Sequence, residues 1–456
     1  MDNQQLEIKL PINQPNRVHV CTSEYLNESY KYQKHSSGLD VYVFPKKMNS
    51  TMAILGTRFG SVANTFKCSK NGEFVTVPDG VAHFLEHKLF ENEDGSDSFE
   101  RFSQLGADAN AFTSANRTAY YFECTKNFSK SLEELVRFVF NPYFTEKGIK
   151  KEIGIITEEI NMYDDNPYDV CYYNMLEGLY ESHSVKRNIC GDEKSINEIT
   201  TDILNECYDL FYTPSNTVLA VCGNTSLDVV MRVVDKILPE SKQNKQVRKI
   251  IRQNENLTEP KEVHKKLVTK KMNVSKPIFS IGIKDTDLPR TKISSFKRDI
   301  MMALLGNILF SRSSEFDNML IEKELIHEDL RYEYLLCESF AFASIYGKAD
   351  DPEQVFEKVL DYVETVKATG LSLEDLKREK KVMITEHIGM FDSTSRIANS
   401  LFAHGCVGTN LFDTCRIIES IRLSELEELL EKAFRKEYFT MSVIYPSNGS
   451  EDNKEK

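Results

Sequence analysis

The segment His83-Phe84-Leu85-Glu86-His87 has the residue types and the spacing of a metal-dependent hydrolytic site. Side chains four residues apart share one face of a helix, so the imidazoles of His83 and His87 can bind a single metal ion. The order H-x-x-E-H also places a carboxylate, that of Glu86, directly before the second imidazole. Such a carboxylate can act as general base toward a metal-activated water. The segment therefore predicts a metal site and a hydrolytic chemistry.

The alternative explanation is a pair of histidines on a solvated helix. With 9 histidines in the chain, chance produces this pattern roughly 0.03 times, so the motif alone is suggestive. The flanking sequence is apolar with a helical period, and a capping region, Asp79-Gly80, precedes it. The apolar positions are Val81, Ala82, Phe84, Leu85, Leu89 and Phe90. We expect this helix to be buried, where imidazoles and a carboxylate are costly to desolvate unless a metal coordinates them.

A zinc hydrolase has three protein ligands and one open position for water, so one ligand remains to be found. A helix predicted over about residues 148–163 carries three candidates, Glu152, Glu158 and Glu159. Glu152 and Glu159 lie two turns apart on nearly the same face, whereas Glu158 points about 100° away from Glu159. A solvated acidic face is the simpler explanation for most glutamates. The helical geometry alone leaves the third ligand open.

These residues resemble the pitrilysin/insulinase family of zinc metallopeptidases, the inverzincins. In that family a ligand glutamate follows H-x-x-E-H at a distance like that between His83 and Glu159, and a functional glutamate lies seven residues before the ligand. The resemblance implies that His83, His87 and Glu159 bind Zn²⁺. It implies that Glu86 is the general base and that Glu152 supports the site. The resemblance covers most of the chain and is strongest over residues 80–165.

The resemblance also implies an α+β fold of two related halves, each an antiparallel-rich sheet packed with helices, facing each other across a cleft. Residues 110–115 and 118–124 read as paired strands that are similar to the family's substrate-binding edge strand and its neighbour. A peptide would then add as a strand along Asn110, Ala111, Phe112 and Thr113. The expected activity is zinc-dependent endopeptidase cleavage of peptides or unfolded segments, since a cleft excludes folded proteins.

The second half departs from the family pattern. The family has an arginine and, seven residues later, a tyrosine that contact the substrate, but Ile321 and Glu328 occupy those positions here. Other arginines and tyrosines lie nearby but out of frame, at Arg312, Arg331, Tyr332 and Tyr334. Half-length members of the family often work as pairs. The resemblance thus implies that a related subunit, in a heterodimer or a homodimer, completes the site.

Two other functions stay open from the sequence. One is a catalytically silent peptide-binding or scaffold subunit, as occurs among relatives in the family. The presence of all four residues His83, Glu86, His87 and Glu159 argues against it. The other is a structural metal site, which would have no need of Glu86.

Composition limits the partners and the compartment. The net charge of −13 argues against a nucleic-acid partner and an anionic membrane surface. No secretory signal or membrane span is visible, so we expect no membrane partner. The 10 cysteines show no C-x-x-C pairing, which favours free thiols in a reducing cytoplasm. Cys124, Cys190 and the other thiols have no evident histidine partner in the sequence, so cysteine-protease chemistry is not expected.

With 456 residues the chain is too long for one ordinary core. The polar stretch 241–262 is the best candidate linker. It would separate a catalytic zinc-binding domain, 1–240, from a related C-terminal domain, 263–456, that lacks the usual Arg/Tyr pair. Weak internal similarity supports two related halves. Phe211-Tyr212 leading to residues 218–221 is loosely repeated by Tyr438-Phe439 leading to residues 442–445.

Overall fold

The computed structural model of the chain describes residues 17–67, 73–238, 251–252 and 259–447. They form two compact units. Unit 1 takes residues 1–157, 189–253 and 386–416, and unit 2 takes residues 158–188, 254–385 and 417–456. Each unit therefore draws on three separate stretches of the chain. Most of the predicted linker 241–262 lies outside the described residues.

Unit 1 contains a seven-stranded mixed sheet with the order β1-β2-β3-β9-β4-β8-β7. All neighbours pair antiparallel except β3 and β9, which are parallel. The central strands β3, β4 and β9 are buried almost throughout, as their continuous apolar sequences require. The strands are β1 (Val18–Ser23), β2 (Glu28–Lys34), β3 (Asp40–Pro45), β4 (Thr51–Thr57), β7 (Ala107–Thr113), β8 (Thr118–Cys124) and β9 (Thr217–Gly223). A small separate sheet pairs β5 (Thr65–Lys67) with β6 (Phe74–Thr76) and β10 (Ile251–Arg252).

Unit 2 contains a five-stranded sheet with the order β11-β15-β12-β14-β13. The strands are β11 (Leu267–Met272), β12 (Ile278–Lys284), β13 (Arg331–Leu336), β14 (Ala341–Lys348) and β15 (Phe439–Pro446). Its pairings are parallel for β11 and β15 and antiparallel for the other three pairs. In unit 1, the five strands β3, β9, β4, β8 and β7 are neighbours in that order. Each has the same rank along the chain as its counterpart in the sheet of unit 2. The predicted α+β fold of two related halves is confirmed.

Fifteen α-helices surround these sheets within the described part of the chain. They are α1 (Val81–Lys88), α2 (Ser98–Leu105), α3 (Phe128–Val139), α4 (Glu146–Asp165), α5 (Pro167–Leu179), α6 (Glu193–Asn197), α7 (Thr201–Phe211), α8 (Leu227–Ile237), α9 (Lys292–Phe310), α10 (Glu315–Glu322), α11 (Pro352–Thr369), α12 (Leu373–Met390), α13 (Thr394–Val407), α14 (Thr414–Ser420) and α15 (Leu423–Ala433). None of the helices searched is both long and apolar enough to cross a bilayer.

Two helices pack on the sheet of the other sequence half. Helix α5, from the first half of the sequence, lies on β12 and β15, and α13, from the second half, lies on β4 and β9. Glycines permit this close packing at matching strands. A Cβ on Gly56 of β4 would lie 2.5 Å from the Phe402 ring of α13. A Cβ on Gly282 of β12 would lie 2.8 Å from Met175 of α5. The duplication therefore extends from strand order to helix packing.

Helix α4 is the element that passes from unit 1 to unit 2, since the boundary falls after Thr157. Its observed bounds, Glu146–Asp165, extend the predicted 148–163 by two residues at each end. It stops where Asn166 caps α5, whose first residue is Pro167. A proline fits the first helical position because its missing N–H has no partner there. One continuous helix therefore carries both Glu152 and Glu159.

Candidate metal and catalytic site

Helix α1 carries the H-x-x-E-H motif in the interior of unit 1. Seven of its eight residues are buried, with His83 at 6% and Glu86 at 8% exposure. The helix packs against strands β7 and β8, and the hydroxyl of Tyr120 lies 3.4 Å from the carbonyl oxygen of Leu85. The burial predicted from the apolar pattern is confirmed, and with it the cost of leaving these polar side chains uncompensated.

A tight backbone contact holds the start of α1. Gly80 caps the helix with φ +90°, and a Cβ there would lie 2.3 Å from the carbonyl oxygen of Cys190. Gly191 has φ +79°, and a Cβ there would lie 2.6 Å from the carbonyl oxygen of Asp79. Both residues adopt the left-handed conformation that glycine alone enters without strain. The loop at Cys190 is thereby pressed against the helix that carries the two histidines.

Three potential metal donors converge beside α1. One ligand atom each from His83, Glu159 and Cys190 lies within 4.8 Å of the other two. His83 and Cys190 are buried and Glu159 is half-buried. The neighbouring Glu158 is exposed and points about 100° away from Glu159 around the axis of α4. Of these two adjacent glutamates, Glu159 is the one near His83. It is also the one that the resemblance implied as a metal ligand.

His87 lies next to His83 but outside that group of three donors. The two imidazole centroids are 4.5 Å apart, and the Nδ1 of His87 is 3.0 Å from Oε1 of Glu152. A carboxylate bonded to one ring nitrogen fixes the tautomer of a histidine and frees the other nitrogen for a metal. Each histidine of the motif therefore has one glutamate of α4 beside it. Glu152 lies beside His87, and Glu159 lies near His83.

Glu152 also lies near a buried lysine. Lys88 has a fully buried side chain, with its Nζ 2.5 Å from Oε2 of Glu91 and 3.9 Å from Oε2 of Glu152. Glu152 is itself only 6% exposed. The carboxylate of Glu152 therefore lies between the imidazole of His87 and the ammonium group of Lys88. The sequence did not predict a role for Lys88, because no local pattern distinguishes a buried lysine from an exposed one.

A hydrogen bond joins the predicted substrate-binding strand to the predicted general base. The hydroxyl of Thr113 donates a hydrogen bond of 2.6 Å to Oε2 of Glu86. Thr113 ends β7, which is the terminal strand of the seven-stranded sheet. On the same strand Asn110 is exposed, while Ala111 and Phe112 are half-buried. The sequence suggested a substrate contact for Thr113 and missed its contact with Glu86.

Two buried tyrosines lie close to Glu86 as well. The hydroxyls of Tyr120 and Tyr212 are 3.1 Å apart. Burial raises the pKa of both tyrosines, and the negative charge of Glu86 raises each further. Both therefore stay protonated near neutral pH. The two tyrosines therefore place neutral hydroxyl groups near Glu86 and add no negative charge of their own.

The donor chemistry fits a zinc ion. Imidazole, carboxylate and thiolate groups are all zinc ligands, and the His87–Glu152 contact is typical of the second coordination shell. Nothing in this set resembles the all-oxygen shells of calcium or magnesium. Cys190 is the donor that sequence reasoning missed, because 107 residues separate it from His83 and no local spacing connects them.

The positions of the family's Arg/Tyr pair hold other contacts. Ile321 is exposed on α10 at 39%. Glu328 forms an ion pair with Lys348, with 3.6 Å between the charged atoms. Arg312 lies 3.3 Å from Asp329 in an exposed ion pair. An aliphatic and an acidic residue thus stand where the resemblance implied a substrate-binding arginine and tyrosine.

A duplicated α+β fold with an H-x-x-E-H helix in one unit defines a class of metallopeptidase-like proteins. Comparison with known families agrees. Residues 76–193 match the model of the insulinase family, peptidase family M16, and residues 198–383 match the model of the peptidase M16 inactive domain. This chain belongs to the M16 family.

Three similar proteins each span nearly the whole chain. It is 37% identical over 427 residues to the uncharacterized zinc protease YmfH of Bacillus subtilis, covering 93% of this chain and 98% of that one. A putative M16-like peptidase from Alicyclobacillus acidocaldarius superposes with a TM-score of 0.86 at 28% identity, covering 92% and 98%. A protease from Helicobacter pylori shares the fold, with a TM-score of 0.79 at 19% identity and coverage of 92% and 100%.

Proposed function

We propose that this chain is a zinc-dependent endopeptidase that hydrolyses peptides or unfolded segments. One observation carries the proposal. A carboxylate oxygen of Glu159 lies within 4.8 Å of a ring nitrogen of His83, and Glu152 contacts Nδ1 of His87. The zinc ligands would be His83, His87 and Glu159. Glu152 would hold the ring of His87 through Nδ1. Relatives named as zinc proteases support the assignment.

A zinc ion bound there would supply a water of lowered pKa and polarise the scissile carbonyl. The proton chemistry belongs to Glu86. Thr113 donates to Oε2 of Glu86, so Oε1 is the oxygen that would take a proton from the water and pass it to the leaving amine. The buried position of Glu86 keeps bulk water from competing for that proton.

The substrate would bind as an added strand on β7. A terminal strand offers backbone hydrogen-bonding groups along its outer side. Asn110, Ala111, Phe112 and Thr113 would contact the peptide, and Thr113 would link its last pairing position to Glu86. Main-chain pairing makes few demands on side chains, so the preference along this strand should be permissive.

We further propose that a related subunit supplies the missing substrate contacts, in a heterodimer or a homodimer. Ile321 and Glu328 can provide neither a guanidinium nor a phenol, which supports this dependence. The same departure favours the second candidate function, a catalytically silent peptide-binding or scaffold subunit. We also propose a cytoplasmic location, which the lack of C-x-x-C spacing among the 10 cysteines supports.

Zinc content and peptide cleavage should be measured for the wild type and for Glu86→Gln, alone and with a candidate related subunit. The Glu86→Gln variant should retain zinc and lose cleavage. Wild-type protein without stoichiometric zinc would refute the metallopeptidase assignment. A wild type that holds zinc but cleaves nothing with any related subunit would favour the silent subunit, and full activity of the chain alone would refute the need for a partner.

The adjacent glutamates of α4 provide a matched control for the third ligand. Glu159→Gln should lose zinc, because it removes a carboxylate of the donor group. Glu158→Gln changes the same residue type one position earlier, on the exposed side. It should bind zinc as the wild type does. Equal zinc binding by both variants would remove Glu159 from the ligand set.

A further inference from the structure

The thiol of Cys190 lies within reach of the metal-binding donors. Its Sγ is 3.8 Å from Nε2 of His83, and Glu159 completes the group within 4.8 Å. Two ligands of one tetrahedral zinc, a sulfur at about 2.3 Å and a nitrogen at about 2.05 Å, are separated by about 3.6 Å. The observed separation is close to the one that shared coordination requires.

The backbone at Cys190 is held in place from both sides. Gly191 packs against Asp79, and the carbonyl of Cys190 packs against Gly80. Asp192 then caps the short helix α6 by accepting from the backbone of Ser195. Cys190 itself is 2% exposed. The sulfur is therefore presented to His83 by a fixed segment of unit 1.

We propose that Cys190 binds the same metal ion as a thiolate in the resting site, as a fourth ligand beside His83, His87 and Glu159. This inference rests on the proposed zinc function. Coordination would form a metal–sulfur bond and release the thiol proton to solvent, with no oxidation or reduction. A thiolate ligand closes the position that a hydrolytic zinc leaves open for water. Turnover would then require the sulfur to leave the metal and take up a proton again.

Such a resting state separates metal retention from catalysis. A closed set of protein ligands is characteristic of structural zinc, and an open position is characteristic of catalytic zinc. The chain would hold its metal through Cys190 until an entering peptide or a partner subunit displaces the sulfur. Cys190 would thus regulate the site without taking part in proton transfer.

The full-length protein can be tested by X-ray absorption at the zinc edge and by the optical spectrum after Co²⁺ substitution. The wild type should show one sulfur at about 2.3 Å and a thiolate-to-cobalt charge-transfer band. Cys190→Ala and Cys190→Ser should bind metal with unchanged stoichiometry, through His83, His87 and Glu159, and should lack both signals. Their cleavage rate per bound zinc should exceed that of the wild type, because no thiolate then has to leave the metal before turnover.

Cys207→Ala is the matched control, because Cys207 is also a fully buried thiol of unit 1. It should keep both sulfur signals. Wild-type protein that binds metal through nitrogen and oxygen alone would overturn the proposal and leave the peptidase assignment intact. The 3.8 Å contact would then be a hydrogen bond between the thiol and His83. Wild-type protein that binds no metal would overturn both proposals, and a sulfur signal that survives in both Cys190 variants would overturn this one.

Discussion

Replacing Glu152 with glutamine should weaken zinc binding while leaving the fold intact. The substitution keeps the shape of the side chain and removes the charge that faces Nδ1 of His87 at 3.0 Å. Loss of such a carboxylate–histidine contact typically weakens metal affinity about 10- to 100-fold. This corresponds to about 1.4 to 2.8 kcal/mol.

Stability should change less, because Lys88 keeps its nearer partner. The Nζ of Lys88 is 2.5 Å from Glu91 and 3.9 Å from Glu152. Glu91→Gln is therefore the matched control, since it removes the closer charge from the same buried lysine. Breaking a buried ion pair costs about 3 to 5 kcal/mol. We expect about 3 kcal/mol for Glu91→Gln, the low end of that range, because Glu152 remains nearby.

The two variants should separate two properties that are otherwise easily confused. Zinc affinity is measured by competition with a chelating indicator, and stability is measured in excess chelator so that metal binding does not contribute. Glu152→Gln should shift affinity and Glu91→Gln should shift stability. If Glu152→Gln binds zinc like the wild type, Glu152 does not position His87. If Glu91→Gln loses as much affinity as Glu152→Gln, the effect comes from Lys88.

Three further predictions follow from the same contacts. Thr113→Val removes the 2.6 Å hydrogen bond to Glu86 and should slow cleavage about 10-fold or more with zinc content unchanged, since such charged bonds contribute about 1.5 to 3 kcal/mol; an unchanged rate contradicts this. Gly56→Ala places a Cβ 2.5 Å from the phenyl ring of α13 and should lower stability by about 1 to 3 kcal/mol in thermal melts. In the control Gly154→Ala, where no atom lies within 4 Å, helix propensity should raise it instead. Burial lowers the pKa of His183 from 6.5 to about 4. As the pH falls from 6.5 to about 4, the unfolded chain binds a proton at this residue before the folded chain does. Folding should therefore lose about 3 kcal/mol of stability over this pH range. His183→Gln should flatten this part of the stability profile, and an unaltered profile would contradict the assignment.

Much of the local structure could be predicted from the sequence. The Asn166-Pro167 pair marks the boundary between α4 and α5, and Gly106 ends α2 in the left-handed conformation. The paired strands β7 and β8 overlap the predicted segments: β8 has the predicted bounds 118–124, whereas β7 covers 107–113 where 110–115 was predicted. These features depend on residues close together in the chain. Local propensity and periodicity are sufficient for them.

The exchange of α5 and α13 between the sheets could not be predicted in the same way. An apolar face shows that a helix is covered, and it does not show which sheet covers it. The faint internal similarity placed two equivalent strands correctly, since β9 and β15 hold the same position in their sheets. The aromatic pairs chosen with them do not correspond. Phe211 ends α7, whereas Phe439 begins β15.

The residues of the candidate site fall into two groups, those linked by short spacings in the sequence and those that are far apart in it. His83, Glu86 and His87 were recognisable because one helix turn sets their separation, and the spacing of Glu152 and Glu159 identified one face of α4. The contacts of Lys88 and Cys190 depend on how α4 and the loop before α6 fold back onto α1. No pattern within a short window contains that information, so only the tertiary structure reveals these two residues.

The contacts of two tyrosines in unit 2 bear on the proposed need for a partner. Two of the out-of-frame candidates near α10 are the tyrosines Tyr332 and Tyr334 of β13. Tyr334 donates from its hydroxyl to Asp285 at 2.7 Å, and Asp285 also binds Arg298 through two hydrogen bonds. The ring of Tyr332 packs over Gly306 so closely that a Cβ there would lie 2.0 Å away. Both tyrosines therefore stabilise the core of unit 2. The second copy of the fold thus uses the two tyrosines nearest to α10 for hydrogen bonding and packing within unit 2.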